Sequence, residues 1–209
     1  MAFQQPSENP IKHRFFDFGK DRIEVATWEI QIRDAYNLIY VYTMIHYWIV
    51  EENWASRDDS RFQETYYTQR EHPVHGKEVW LRWRLEKQPS GTKGKLFMYA
   101  MDLDFKIIGL KETEIAWKGQ KIKADRSEFT LTCRGAIIID KGKEWTTWPF
   151  KNIKEFYTRR VLRQHITRHR KAVYSDCYRL RDLVMNYLKL ETFMPMKEAG
   201  EFFVKRTME

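Results

Sequence analysis

Arg159, Arg160, Arg163, Arg168, Arg170 and Lys171 crowd a stretch that contains no acid from Phe156 to Ser175, with His165 and His169 between them. The chemistry this suits is phosphate docking, because a guanidinium is a planar fork that donates two parallel hydrogen bonds to one anion. With no acids at i±4 positions, most of these cations cannot pair within their own helix. On a helical wheel Arg159, Arg160, Arg163, Arg170 and Lys171 fall within about a third of the circumference, beside an apolar stripe. The chain as a whole has 37 Lys and Arg against 29 Asp and Glu, a net charge of +8. The segment 150–190 alone holds eleven of the basic residues and three acids, Glu155, Asp176 and Asp182, so the whole excess resides there. A neutral body with one concentrated basic element attracts polyanions, of which nucleic acid is the commonest.

Other constellations have plainer explanations. His165 and His169 are spaced i, i+4, as two imidazoles on one metal would be, but the neighbouring cations oppose a dication and no helical Glu completes HExxH. His72 and His75 form a looser pair in a turn and lack further ligands nearby, so no metal is expected. Asp102 and Asp104 share one face of a strand, roughly 6.6 Å apart, a separation that acid–base catalysis could use. Pairing of that strand with Glu78–Lys87 would instead set Arg82 opposite Asp102 and Glu78 opposite Lys106, which accounts for the pattern as cross-strand ion pairs. No Gly-rich phosphate loop, dinucleotide fingerprint or nucleophile elbow is present, so neither an enzymatic activity nor a cofactor is expected. Cys133 and Cys177 lie far apart on apolar stripes and read as reduced, buried thiols. Trp80, Trp117, Trp145 and Trp148 are the aromatics that could be exposed stacking platforms.

No stretch reads as a membrane span. Ala35–Val50 is sixteen residues without a formal charge, short of the roughly 20 needed to cross a bilayer and interrupted by Asn37, Thr43 and His46. His165 and His169 beside the apolar stripe also argue against an interfacial membrane helix. The opening residues lack an apolar core followed by a small-residue cleavage site, so no signal peptide and a cytoplasmic location are expected.

The elements that must position the basic cluster follow from periodicity. Trp28–Ile32 alternates as a short strand. Asp34 is the expected N-cap of a helix on which Ala35, Leu38, Tyr42, Ile45 and Ile49 recur at helical spacing. Tyr40, Met44, Tyr47 and Trp48 make that helix apolar nearly all round, so it should be covered on two sides. From Phe62 the period becomes two. Strands are expected at Phe62–Arg70, Glu78–Lys87 and Lys95–Ile108, the last ending at Gly109, and then at Thr113–Trp117, Lys121–Ala124 and Phe129–Ile139, with Gly135 as a bulge. Beyond a loop at 140–149, Leu162, Ile166, His169, Val173, Cys177, Leu180, Val184 and Tyr187 step by three and four. Ile153, Phe156, Tyr157 and Val161 lie on another side, so a bend is expected near Thr158–Leu162.

The fold expected is α+β: an antiparallel β-meander covered by a buried N-terminal helix, with a long basic C-terminal helix. Its parts are an irregular arm (1–20), an α+β core (21–149), the basic helix (150–190) and an extended tail (191–209). The function expected is non-enzymatic binding of RNA or DNA phosphates through Arg159, Arg160, Arg163, Arg168, Arg170 and Lys171. The alternative is self-assembly as a homo-oligomer, the long helix lying between subunits and its arginines meeting Glu51, Glu52, Asp58 and Asp59 of a neighbouring copy.

Overall fold

Alternation of apolar and polar residues builds most of the sheet, and continuous apolar runs at 97–101 and 136–139 bury both of its faces at one end. In a computed structural model, which describes residues 21–58, 62–73, 76–89, 96–117, 120–140, 156 and 160–188, the chain runs β1 (Arg22–Tyr36), α1 (Leu38–Glu51), β2 (Glu64–His72), β3 (Gly76–Lys87), β4 (Phe97–Trp117), β5 (Gln120–Ile139) and α2 (Arg163–Leu188). The fold is α+β. The strands form one five-stranded antiparallel sheet in the order β1-β5-β4-β3-β2. The first strand therefore sits beside the last, and α1 carries the chain from one edge of the sheet to the other.

One face of the sheet holds the main core, and Met98, Ala100 and Ile138 form a smaller buried cluster on the other. A single row crosses it as Trp28, Cys133, Leu103 and Trp83, each opposite the next, and all four are buried. Trp83 anchors the α1 side, its ring meeting Phe62 at 4.9 Å and Tyr42 at 5.1 Å between centroids. On the other side α2 packs over β1 and β5 and touches α1, burying Val173, Cys177, Leu180 and Val184. None of the described helices is long and apolar enough to cross a membrane.

Several boundaries differ from expectation. The first strand runs on past Asp34, because its ladder with β5 continues through Tyr36 opposite Asp125 and Tyr36 is buried. The N-cap is Asn37, whose side chain accepts from the Tyr40 amide at 2.9 Å. The stretches expected as separate strands around Gly109 are one strand. Gly109 has φ 68° at a register shift between Ile108 and Lys111, a bulge that glycine accommodates without ending the ladder. The bulge expected at Gly135 is on the facing strand, between Glu24 and Ala26.

The helix α1 is buried along one stripe only. Val41, Ile45 and Ile49 are inaccessible, while Ile39, Tyr40 and Tyr47 are 76%, 53% and 64% exposed. The sheet covers one side, and α2 reaches it only near its C-terminal end, where Tyr187 stacks on Tyr40 at 4.8 Å. Apolar periodicity read all-round burial here because it cannot tell a tyrosine laid on the surface from one in the core.

Candidate nucleic-acid interface

The helix α2 has two halves of opposite character. Its C-terminal half is tied to the body by packing and by polar bonds. The Trp28 indole donates to the Cys177 carbonyl at 3.0 Å. Asp176, mostly buried, accepts from Trp54 Nε1 at 3.2 Å, Lys87 Nζ at 3.1 Å and Arg179 Nη2 at 2.6 Å. Arg179 also grips both carboxylate oxygens of Glu52, at 2.8 and 3.0 Å. These bonds join α2, β3 and the segment after α1 around one carboxylate. Glu52 is thus satisfied within its own chain and does not wait for a neighbour's arginine.

The N-terminal half projects its charge. A turn at 161–162 precedes the helix proper, within the span where a bend was expected. Leu162 is buried beneath it and Ile166 is half-buried. Arg160, Arg163, Arg168, Arg170 and Lys171 are all exposed, and none has an ion-pair partner among the described residues. Arg159 lies outside the described residues. At 3.6 residues per turn, Arg163, Arg170, Lys171, Tyr174, Tyr178 and Arg181 fall within about 100° of arc, and Arg168 lies further round. The array contains no acid before Asp176 and Asp182.

His169 is the hinge between the halves. Its Nδ1 lies 2.6 Å from the Tyr99 hydroxyl and its ring 4.5 Å from that of Phe97. Burial, and then the nearby His165 and Arg168, hold its pKa below the ordinary value, so a neutral imidazole can accept the Tyr99 proton. Engaged in this way, His169 ties α2 to β4. His75 and the side chain of His72 lie outside the described residues.

Asp102 and Asp104 of β4 are paired with an arginine of β3. The register sets Arg84 opposite Asp102 and Arg82 opposite Asp104, with Trp80 opposite Lys106. Arg84 Nη2 is 2.7 Å from Asp104 Oδ1 and its Nε 3.7 Å from Asp102 Oδ2. The ion pairing expected across this hairpin is present, but through Arg84, because the register is two residues from the one expected. A slip of two preserves which side chains share a face, so the charge pattern fits either register.

Of the aromatics expected as exposed platforms, Trp80 is described with its side chain, and it is half-buried. Trp80 already carries the Lys106 ammonium 5.0 Å from its ring centre. Trp145, Trp148 and the side chain of Trp117 lie outside the described residues. On α2, Tyr174 meets the half-buried Tyr178 in a tilted contact, with ring centroids 4.2 Å apart and 31° between planes, and the Arg181 guanidinium sits 4.5 Å over Tyr178. Tyr174 is 49% exposed. Their i, i+4 spacing beside Lys171 was the available signal.

Comparison with known proteins adds no identity. No family model and no curated protein matches the chain. A solved delta-endotoxin is similar to it with a TM-score of 0.31 and 11% identity, over 57% of this chain and 60% of that one. The chain spans less than two thirds of that protein, and a likeness of this size carries no argument about fold or function.

Proposed function

We propose that the protein is a non-enzymatic, cytoplasmic nucleic-acid-binding protein that docks RNA or DNA phosphates on the N-terminal half of α2. The observation that carries the reading is the contrast along one helix. Arg179 is spent on internal carboxylates, whereas Arg160, Arg163, Arg168, Arg170 and Lys171 stand exposed with no ion-pair partner among the described residues. Like charges held close on a rigid element repel one another, and a polyanion relieves that repulsion while releasing its own counterions. Arg159 belongs to the same proposed set through its place in the sequence. Binding should be steep in salt and weakly dependent on base sequence, since phosphate contacts carry no sequence information. Titration of a labelled oligonucleotide at several salt concentrations, with the parent and an arginine-to-glutamine variant, tests it.

A second reading rests on the other helix. Ile39, Tyr40 and Tyr47 on α1 and Tyr67 on the edge strand β2 are large, apolar and more than half exposed, a surface that suits self-association into a homo-oligomer. Solution mass at low and high salt separates the two. Apolar association persists in high salt, and phosphate docking does not.

A further inference from the structure

We propose that the nucleic acid held by α2 is single-stranded, with its bases stacking on the Tyr174–Tyr178 pair and its phosphates running over Lys171, Arg170 and Arg163. This rests on the phosphate-docking reading and adds the strandedness of the partner. Cations alone do not discriminate, because single and double strands offer them the same phosphate. The aromatic pair does, because a duplex closes the faces of its bases inside the helix and a single strand leaves them open.

Three features make the pair a platform. It is accessible through Tyr174, which is 49% exposed, while Tyr178 is half-buried beside it. It is contiguous with the charge, since Lys171, Tyr174, Tyr178 and Arg181 follow at three- and four-residue steps along one face of the helix. It is ordered beforehand, because Tyr174 packs at a tilt against Tyr178 at 4.2 Å and Arg181 caps Tyr178 at 4.5 Å. Rings already held in place lose little freedom when a base arrives. The helix segment beneath them is fixed to the sheet through Val173, Cys177 and Leu180, all inaccessible, so the platform is on a rigid support. From Arg163 to Arg181 the face extends about 27 Å along the axis, enough for several nucleotides of an extended strand.

The test uses the full chain, a short labelled oligo-U or oligo-dT, and a duplex of the same length, with affinities measured at one low salt concentration. The parent should favour the single strand. A Tyr174→Ala, Tyr178→Ala variant should bind the single strand on the order of tenfold or more weakly, with its duplex affinity and salt slope unchanged. Tyr174→Phe, Tyr178→Phe should retain the parent's preference, because the ring and not the hydroxyl supplies the stacking. Thermal melts of both variants establish that each is folded.

Equal affinity for both probes, or alanine and parent proteins that bind the single strand alike, overturns the inference and leaves phosphate docking standing. A parent that binds neither probe overturns both. Retention only on vesicles of anionic lipid also overturns both, since it replaces the nucleic acid with a membrane surface.

Discussion

A Cβ placed on Gly135 would stand 2.5 Å from Cys177 Sγ and 3.2 Å from Val173 Cγ1. The helix α2 therefore lies directly against the backbone of β5, with Ala26 of β1 beside it at 3.8 Å. Even the smallest side chain at 135 forces the Cys177 sulfur, or the helix that carries it, to shift. Gly135→Ala should destabilise the protein by about 1–3 kcal/mol through overpacking. Combining it with Cys177→Ala should cost less than the two changes summed, since the sulfur is the atom met first. Urea unfolding of the three variants checks this, and an unaltered midpoint for Gly135→Ala would refute the close contact.

The same contact seals both thiols. Cys133 and Cys177 are fully buried, and burial, reinforced by the Cys177 side chain, pushes the Cys133 thiol well above its ordinary pKa. A neutral, inaccessible thiol is a poor nucleophile. The native protein should react with a thiol reagent only at the rate of opening, and both cysteines should label rapidly in denaturant. Fast native labelling would mean that α2 detaches readily from the sheet.

Asp176 should matter to stability and not to binding. Its replacement by Ala strands the Trp54 indole N–H and removes the anion facing Lys87 and Arg179. Partial exposure of both cations moderates the loss to about 2–3 kcal/mol. Calorimetry reads the change, and oligonucleotide affinity measured below the transition should match the parent.

Acid should weaken the attachment of α2 to β4 at His169. His169 has a folded-state pKa below 6.5, so the unfolded chain takes up its proton first as pH falls. Its contribution is fully present above pH 6.5 and is lost as pH drops from there toward the lower folded value. His165 and Arg168 on the same helix add to the repulsion, and Tyr99 on β4 loses its acceptor. A His169→Gln variant should show a flatter dependence of melting temperature on pH below 6.5. A slope identical to the parent's would remove His169 from that role.

Most of the frame was legible because core positions repeat with the period of their element. Val79, Leu81, Trp83 and Leu85 alternate along β3, and Val173, Cys177, Leu180 and Val184 step along α2, all buried as their spacing implies. What escaped depends on partners far away in sequence. Asp34 and Asn37 are both good caps, and only the ladder with β5, running to Tyr36, decides between them. Gly109 reads as a terminator, yet a neighbouring strand carries β4 through it. The basic run was visible as composition, and Asp176 three residues before Arg179 marks a local partner that Arg170 lacks, but the spacing alone does not show that this carboxylate is buried or that a second one joins it. The difference is made by Glu52, more than a hundred residues away, and by Lys87 and Trp54, which fix Asp176 beside it.

The affinity of a short labelled RNA as a function of salt tests phosphate docking on α2 most directly. Five exposed cations, Arg160, Arg163, Arg168, Arg170 and Lys171, each worth about −0.7 on a single strand, give a log–log slope near −3.5. Raising salt from about 50 to 200 mM should then weaken binding on the order of a hundredfold. Replacing Arg160, Arg163 and Arg170 with Gln should lower the slope by about two, with the melting temperature unchanged because these side chains lie outside the buried stripe. A parent that does not bind at low salt, or a triple variant with the parent's slope, would contradict the account.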